Sequence, residues 1–257
     1  MKLSFIYICM LIAAGLTCAA QDKPKPVVDG TKWKITFPTK SPKGNALEIR
    51  NPEFSRRLKS AAGFPDDLNK YFRRTEEGLV FHAEYTGVTT SSATKYSRTE
   101  LREMSGPDEH NWTLDKPGRL TCKLKIAKLE GGANKLFFMQ IHGKRPKSKP
   151  LIKCIWEKGR IRLLTKGGKN LKDLKRKSHY ANVPVDQWFT CTIRISREAL
   201  SVSVNGKTVE TYAADEVLKF WPKDNTYYFK AGNYLQHNTP GAKATVVFAS
   251  IDVSHGN

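Results

Sequence analysis

The sequence predicts an all-β domain, a sandwich or a jelly roll, and two observations support that prediction. Short runs in which apolar and polar residues alternate recur between Trp33 and Val253. Such alternation is typical of strands, because successive side chains of a strand point to opposite faces. Turn residues separate the runs, and many short strands with such turns indicate two packed sheets.

The first twenty residues are set apart from the fold, because they match a secretory signal peptide. Lys2 gives a positive start, residues 3–16 are mainly apolar, and Thr17–Ala20 offers small residues for cleavage. The apolar run is shorter than the roughly 20 residues that cross a bilayer, which disfavours a membrane anchor. We therefore expect a secreted, extracellular protein in which residues 21–257 form a single domain that does not bind membranes.

The first half of the domain predicts two strands on either side of a weak helical pattern. Trp33–Phe37 alternates and is expected to end at Pro38, since proline cannot donate to a ladder. The helical pattern lies at 51–58, and Gly78–Tyr85 alternates again.

The second half predicts strands joined by tight turns. Gly131–Gly132, Glu157–Gly159 and Asn205–Gly206 are turn signals, and Asn-Gly is the strongest hairpin signal among them. A second short helix is predicted at 214–220. The other predicted strands of this half are 119–129, 151–156, 160–165, 188–196, 200–204 and 244–253.

Three further segments each predict a strand with one apolar and one polar face. They are Tyr96–Glu103, Phe137–His142 and Tyr228–Gln236. Their polar faces hold Tyr96, Arg98, Glu100 and Arg102, then Phe138, Gln140 and His142, then Tyr228, Lys230, Tyr234 and Gln236. Charges on one face at strand spacing resemble the floor of a groove, so we expect the fold to bring these faces together. Leu101, Ile141 and Phe229 would then lie in the core.

The charge of the chain limits the partners that it attracts. Loss of Lys2 with the signal lowers the net charge from +20 to +19. Such an excess attracts polyanions, which for a secreted protein are acidic polysaccharides, cell-surface glycans or nucleic acid. Two lysine-rich loops, 143–150 and 166–177, are expected to wall the groove.

Three cysteines remain in the mature chain: Cys122, Cys154 and Cys191. An odd number allows at most one intramolecular disulfide. Each lies in an apolar run, which favours a buried structural thiol over a reactive one.

Taken together, the three polar-faced segments resemble the alginate lyases of polysaccharide lyase family 7. That family's motifs run Arg-(Ser/Thr)-Glu-Leu-Arg, then Gln-(Ile/Val)-His, then Tyr-Phe-Lys-Ala-Gly-x-Tyr-x-Gln. The chain has Arg98–Arg102, Gln140–His142 and Tyr228–Gln236 in the same order. Trp33–Pro38 and Gly78–Phe81 also look like the family's early strands, so the resemblance covers nearly all of the mature chain.

The resemblance implies a concanavalin-like β-jelly roll whose concave groove binds alginate, an anionic polysaccharide, and cleaves it by β-elimination. Arg98 and Gln140 would hold the uronate carboxylate, while His142 and Tyr234 would transfer protons. The substrate-binding residues of the groove would be Glu100, Arg102, Tyr228, Lys230 and Gln236. The scheme requires no metal and no cofactor, and we expect a monomer.

The chemistry explains these residue types. Removing the C5 proton of a uronate puts charge next to a carboxylate, which a cation and hydrogen-bond donors must stabilise. An arginine fork suits that carboxylate, and the leaving oxygen needs a proton donor. Near Arg98 and Lys230 the pKa of Tyr234 should fall below its usual value of about 10. Glu100, flanked by Arg98 and Arg102, is expected to orient both through ion pairs rather than act as the base.

The family resemblance also suggests a substrate preference. In the family, tyrosine serves as base and acid for mannuronate, while histidine is the base for guluronate. Members with Gln-Ile-His tend to favour guluronate-containing blocks, and this chain has Ile141 at that position.

Other functions stay open at this point. A lectin-like polysaccharide-binding module could use the same fold, because fold does not imply function. Against it, binding alone would not require Arg98, Gln140, His142 and Tyr234 together. A lyase for another polyuronate, such as glucuronan, is a further alternative. Nucleic-acid binding is the weakest, since the charge fits but no recognised motif is present.

Overall fold

The computed structural model describes residues 28–145, 149–174 and 176–256; the predicted signal segment lies outside them. The first strands are β1 (Trp33–Lys40), β2 (Ala46–Ile49), β3 (Phe72–Thr75), β4 (Gly78–Glu84), β5 (Arg98–Ser105), β6 (Asp108–Glu109), β7 (Gly118–Glu130), β8 (Lys135–Gly143) and β9 (Pro150–Glu157). The later strands are β10 (Arg160–Gly167), β11 (Lys172–Leu174), β12 (Ala181–Asn182), β13 (Phe189–Ile195), β14 (Ala199–Val204), β15 (Lys207–Ala213), β16 (Tyr227–Leu235) and β17 (Lys243–His255).

Helices are few and short. They are α1 (Glu53–Lys59), α2 (Asp66–Asn69) and α3 (Ala214–Val217), with 3-10 turns at Gly30–Lys32 and Leu218–Phe220. The two helices predicted from the sequence therefore form. Within the described ranges no helix has the length and apolar character needed to cross a bilayer.

The strands form two antiparallel sheets, which confirms the predicted jelly-roll sandwich. The first, here named the groove sheet, has the order β11-β10-β9-β8-β16-β5-β1-β2, with β12 on β10 and β6 on β5. The second, named the back sheet, has the order β15-β14-β13-β7-β17-β4-β3. Strand β16 lies between β8 and β5, so the three polar-faced segments, far apart in sequence, become neighbours in space.

One hydrophobic core fills the space between the sheets. Leu101, Ile141 and Phe229 are fully buried in it, as predicted. Phe81 of the back sheet packs edge-on against Phe248, with ring centroids 5.0 Å apart. Burying a side chain of this size contributes about 1.5–3 kcal/mol, so the core faces of the strands hold the polar faces in place.

The three cysteines belong to this core. Cys122 and Cys191 face each other on β7 and β13, and Cys154 comes from β9 of the groove sheet. All three are buried free thiols, as the sequence favoured, and no disulfide joins them. Burial raises the pKa of the Cys122 thiol well above its ordinary value, so this thiol is unreactive at neutral pH.

The predicted hairpin turns form where the sequence places them. Lys158 and Gly159 join β9 to β10, and Asn205 and Gly206 join β14 to β15. All four have positive φ angles, between 50° and 78°. That backbone matches the twist of the flanking strands and is accessible to Asn and Gly.

Two local predictions were wrong. Strand β1 continues through Pro38 to Lys40, because its register with β2 shifts between Thr36 and Lys40 and frees the proline from the ladder. The second error concerns the faces of Phe137 and Phe138, which a β-bulge in β8 exchanges.

The bulge is visible in the register of β8 against β9. Phe137 pairs with Ile155 and Met139 with Cys154, so Phe138 is the extra residue. Phe138 turns into the core, where its ring lies edge-on to Phe189 at 5.5 Å. Phe137 turns to the opposite face, next to the polar side chains.

Candidate active site

The register of three strands sets the positions of the polar side chains on the groove sheet. Tyr234 on β16 pairs with Arg98 on β5 and with Phe137 on β8. Closer to the N-terminus of β16, Lys230 pairs with Gln140 and Tyr228 pairs with His142. Side chains two residues apart on a strand share a face, so these rows build one surface.

A cleft of about 590 Å³ opens over this surface. Seven of the nine residues predicted for the site line it: Arg98, Gln140, His142, Tyr228, Lys230, Tyr234 and Gln236. Glu100 and Arg102 do not line it, although the sequence analysis placed both in contact with substrate. Both are almost fully buried beneath the surface, at 2% and 6% exposure.

Glu100 lies under the cleft and bonds to three of its side chains. Its Oε1 accepts a hydrogen bond of 2.5 Å from Gln140 Nε2, and its Oε2 lies 3.0 Å from an Arg98 guanidinium nitrogen. Lys230 forms an ion pair with the same Oε2. Burial opposes ionisation of Glu100, but the charges of Lys230 and Arg98 hold the pKa of its carboxyl below the usual value. Glu100 is therefore a charged anchor for the cleft.

Arg102 has different partners from those predicted. Its guanidinium donates to Asn111 Oδ1 at 2.7 Å and to Glu109 at 3.1 Å, and it also binds the Glu103 carbonyl oxygen. No ion pair with Glu100 exists in the described structure. The predicted face of Arg102 was correct. Its acidic partner, however, comes from β6, a two-residue strand that no sequence pattern marks.

Arg98 and Tyr234 form a stacked pair in the cleft. The guanidinium carbon lies 3.5 Å from the centroid of the phenol ring. Burial raises the pKa of Tyr234 above its usual value, and the nearby Arg98 charge only partly offsets this. The predicted lowering was therefore wrong, because desolvation of the phenolate outweighs the neighbouring charges. Tyr234 stays protonated at neutral pH.

His142 lies beside Gln140 at the other end of the cleft. Its Nε2 is 3.2 Å from Gln140 Oε1, and its ring stacks on Tyr228 with centroids 5.3 Å apart. Glu100 accepts from the Gln140 amide nitrogen, so the amide oxygen faces the imidazole. In this orientation His142 Nε2 is the donor and the amide oxygen accepts.

Lys153 and Phe137 line the cleft but were not among the predicted site residues. Lys153 on β9 pairs with Gln140, and its Nζ lies 4.6 Å from the Phe137 ring centroid. The signal was available, since Lys153 is a charged residue inside an apolar strand. Phe137 could not be found without the bulge.

Within the described ranges, one cluster of potential metal ligands occurs, and it lies outside the cleft. It consists of Glu103, His110 and His255. Glu103 already accepts hydrogen bonds from Trp112 Nε1 and the Phe229 N–H. Those contacts give Glu103 a structural role in the core.

Comparisons with known proteins point to one family over nearly the whole length of the chain. A family model described as alginate lyase matches residues 28–255. The chain is similar to the crystal structure of alginate lyase A1-II', a member of polysaccharide lyase family 7. The two share 28% identity over 88% of this chain and 96% of that one, with a TM-score of 0.71. No curated protein sequence matches the chain.

Two further structures extend the comparison. An alginate lyase from Pseudomonas aeruginosa is 26% identical over 89% of this chain and 100% of its own, with a TM-score of 0.71. A variant of A1-II', with one histidine changed to asparagine and one tyrosine to phenylalanine, was crystallised with the substrate GGMG. It is 26% identical over 90% of this chain and 95% of its own, with a TM-score of 0.72.

Proposed function

Because the chain belongs to the alginate lyases of polysaccharide lyase family 7, and is thus a polysaccharide lyase, we propose that its cleft cleaves alginate by β-elimination. The proposed catalytic residues are Arg98, Gln140, His142 and Tyr234. One observation carries the proposal. Glu100 anchors Arg98 and Gln140 on the same surface, between the His142 imidazole and a protonated phenol.

Arg98 and Gln140 are proposed to bind the carboxylate of the uronate that reacts. The guanidinium of Arg98 is a planar fork of donors that matches a carboxylate, and the Gln140 amide has a second N–H besides the one that Glu100 accepts. Their donors would stabilise the charge that develops when the C5 proton leaves.

His142 and Tyr234 are proposed to move the two protons. The imidazole takes the C5 proton as general base, and the phenol gives its proton to the 4-O-glycosidic oxygen that leaves. The raised pKa of Tyr234 suits the donor, since the phenol is fully protonated before the reaction. The substrate-bound relative carries substitutions of the same two residue types.

We also propose that guluronate-containing blocks are preferred over pure mannuronate. Family chemistry uses tyrosine as base for mannuronate, but burial makes the Tyr234 phenolate costly to form. In the His142 route, used for guluronate, the phenol begins protonated, as burial keeps it, and gives up its proton only as the glycosidic bond breaks. Ile141 lies on the same strand as His142 and is fully buried on its core side. Its effect on substrate preference would therefore act by shifting that strand.

An absorbance assay tests these proposals. The purified protein is incubated with alginate, polyguluronate, polymannuronate and polyglucuronate, and the ultraviolet absorbance of the unsaturated product is followed. We expect turnover of alginate, none of polyglucuronate, and faster initial rates on polyguluronate than on polymannuronate. A faster rate on polymannuronate would refute the preference, and absence of any lyase product would refute the function.

We also propose that the protein is secreted and acts as a monomer. The support is the sequence of residues 1–20, together with a substrate that is an extracellular polymer. Mass spectrometry of protein from the culture medium should give a chain that begins at Gln21. Size-exclusion chromatography with light scattering should give the mass of one chain.

A further inference from the structure

Lys153 is a lysine of the cleft to which the proposed function assigns no role. It projects from β9 on the same face as Gln140, its partner in the ladder, and it lines the same cleft. Its Nζ lies over the Phe137 ring, which in turn lies edge-on to Tyr234 with centroids 5.4 Å apart. Lys153 therefore borders the reacting centre on the β9 side.

Unlike Arg98 and Lys230, Lys153 has no counter-ion among the residues that the structure describes. Arg98 and Lys230 both form ion pairs with Glu100. In the described residues no carboxylate lies within ion-pair distance of Lys153, although the side chain is half-buried. A half-buried ammonium is usually paired, because removing a charge from water is costly unless a counter-charge is close.

The contact with Phe137 does not replace the lost water. Burial lowers the pKa of Lys153 to about 8, and the more distant charges do not restore it. The charged groups around it are Asp173 on β11, Lys166 on β10 and Lys135 on β8. The aromatic contact fixes the direction of the side chain, but the ammonium still lacks an anion.

We propose that Lys153 forms a second carboxylate-binding subsite, which takes the carboxylate of a uronate next to the one held by Arg98 and Gln140. The inference rests on the proposed function, because a polyuronate such as alginate presents a carboxylate on every sugar. A bound carboxylate supplies the missing counter-ion. The subsite thus selects chains with consecutive uronates and holds the register of the polymer across the cleft.

Binding measurements on an inactive background test the subsite. Tyr234→Phe is titrated calorimetrically with alginate oligosaccharides, alone and combined with Lys153→Met, Lys153→Arg or Lys123→Met. Lys153→Met keeps the length of the chain and removes the charge. Lys123 is an exposed lysine of the back sheet, so Lys123→Met is the matched control for loss of one charge.

Loss of one charge-assisted hydrogen bond predicts that Lys153→Met raises the Kd about tenfold at pH 7. Lys153→Arg should stay near the parent, since arginine keeps the charge, and Lys123→Met should leave the Kd unchanged. In the otherwise wild-type enzyme, Lys153→Met should raise KM by a similar factor while kcat changes little. If Lys153 had only a structural role, Lys153→Met would lower the melting temperature and would not raise KM selectively over kcat.

The outcomes separate the two proposals. If the wild-type protein has no lyase activity, the proposed function fails. If it is active but Lys153→Met binds as tightly as Lys123→Met, the subsite is refuted and the function stands. If Lys153→Arg loses as much affinity as Lys153→Met, the charge is not what matters and the subsite is likewise refuted.

Discussion

Two glutamates of strand β5 are equally buried, at 2% exposure each, but they bond to different parts of the molecule. Glu100 faces the cleft, and its partners are the side chains of Arg98, Gln140 and Lys230. Each of those partners reaches the cleft surface and is placed to meet a ligand.

Glu103 faces the other way. Its Oε2 accepts hydrogen bonds from Trp112 Nε1 at 2.8 Å and from the Phe229 N–H at 2.9 Å, and its Oε1 lies 2.5 Å from His255 Nε2. His255 ends β17, so this carboxylate ties the groove sheet to the back sheet.

The difference teaches that burial of a carboxylate does not identify its role, whereas its partners do. Partners that open onto a cleft make Glu100 part of a site. Partners that are core N–H groups make Glu103 part of the fold. Replacing Glu100 should therefore lower activity, whereas the same substitution at Glu103 should lower stability.

The largest effect is expected from Glu100→Gln. The amide cannot neutralise Arg98 and Lys230, so both donors should lose their positions in the cleft. We expect kcat/KM on alginate to fall about 100-fold, equal to about 2.7 kcal/mol of transition-state stabilisation. A variant that folds normally and keeps more than half of the wild-type activity would show that Glu100 does not organise the site.

Glu103→Gln sharpens the comparison from the other side. Glutamine keeps an acceptor for Trp112 and Phe229 but loses the charge, so the free energy of unfolding should fall by about 1.5 kcal/mol. Urea denaturation measures this loss, while kcat/KM of the folded protein should stay within about threefold of wild type. Loss of activity with unchanged stability would reverse the assignment of the two residues.

A smaller effect is expected from pH. Burial lowers the pKa values of Lys153 and Lys230 to about 8, so both lose their charge as pH rises through that value. Neutral amines attract a carboxylate less, hence KM should rise about fivefold between pH 7 and 9.5. The raised pKa of Tyr234 keeps its proton over this range, so kcat should not fall with it.

Charged groups surround both lysines, and one kinetic outcome would contradict their role in the pH profile. The charged groups that face Lys230 are Glu100, Arg98 and Lys34, and those around Lys153 are Asp173, Lys166 and Lys135. If kcat declines above pH 8 while KM is constant, the titrating group belongs to the proton transfers and not to the lysines.

Salt should have the smallest effect. A basic cleft that attracts a polyanion releases counterions on binding, so KM should increase about threefold between 50 and 200 mM salt at fixed pH. Kinetics at several salt concentrations measure the slope. A flat KM would mean that the net charge of the mature chain, +20 less the one charge of Lys2, does not steer the substrate.

The sequence was enough to predict the architecture and seven of the side chains that line the cleft. Alternation along each strand predicts which side chains share a face, and this placed Arg98, Gln140, His142 and Tyr234 on one surface. It failed at Phe137 and Phe138, because a bulge adds one residue and exchanges faces, and no local signal marks it.

The errors in electrostatics have a different origin. Pairing of Arg102 with Glu109 depends on a strand of two residues that no periodicity reveals. The pKa of Tyr234 depends on how much water the fold removes from the phenol, which neighbouring charges in the sequence do not tell. Lys153 went unnoticed because it belongs to none of the three polar-faced segments.

The most direct test of the account is the rate of Tyr234→Phe on alginate. The substitution removes only the phenolic O–H, so circular dichroism and binding of alginate oligosaccharides should match the wild type. We expect kcat to fall at least about 1,000-fold, because the leaving oxygen loses its proton donor. A variant that keeps more than about a tenth of the wild-type rate, a loss under ~1.4 kcal/mol, would contradict the central claim that Tyr234 is the essential acid.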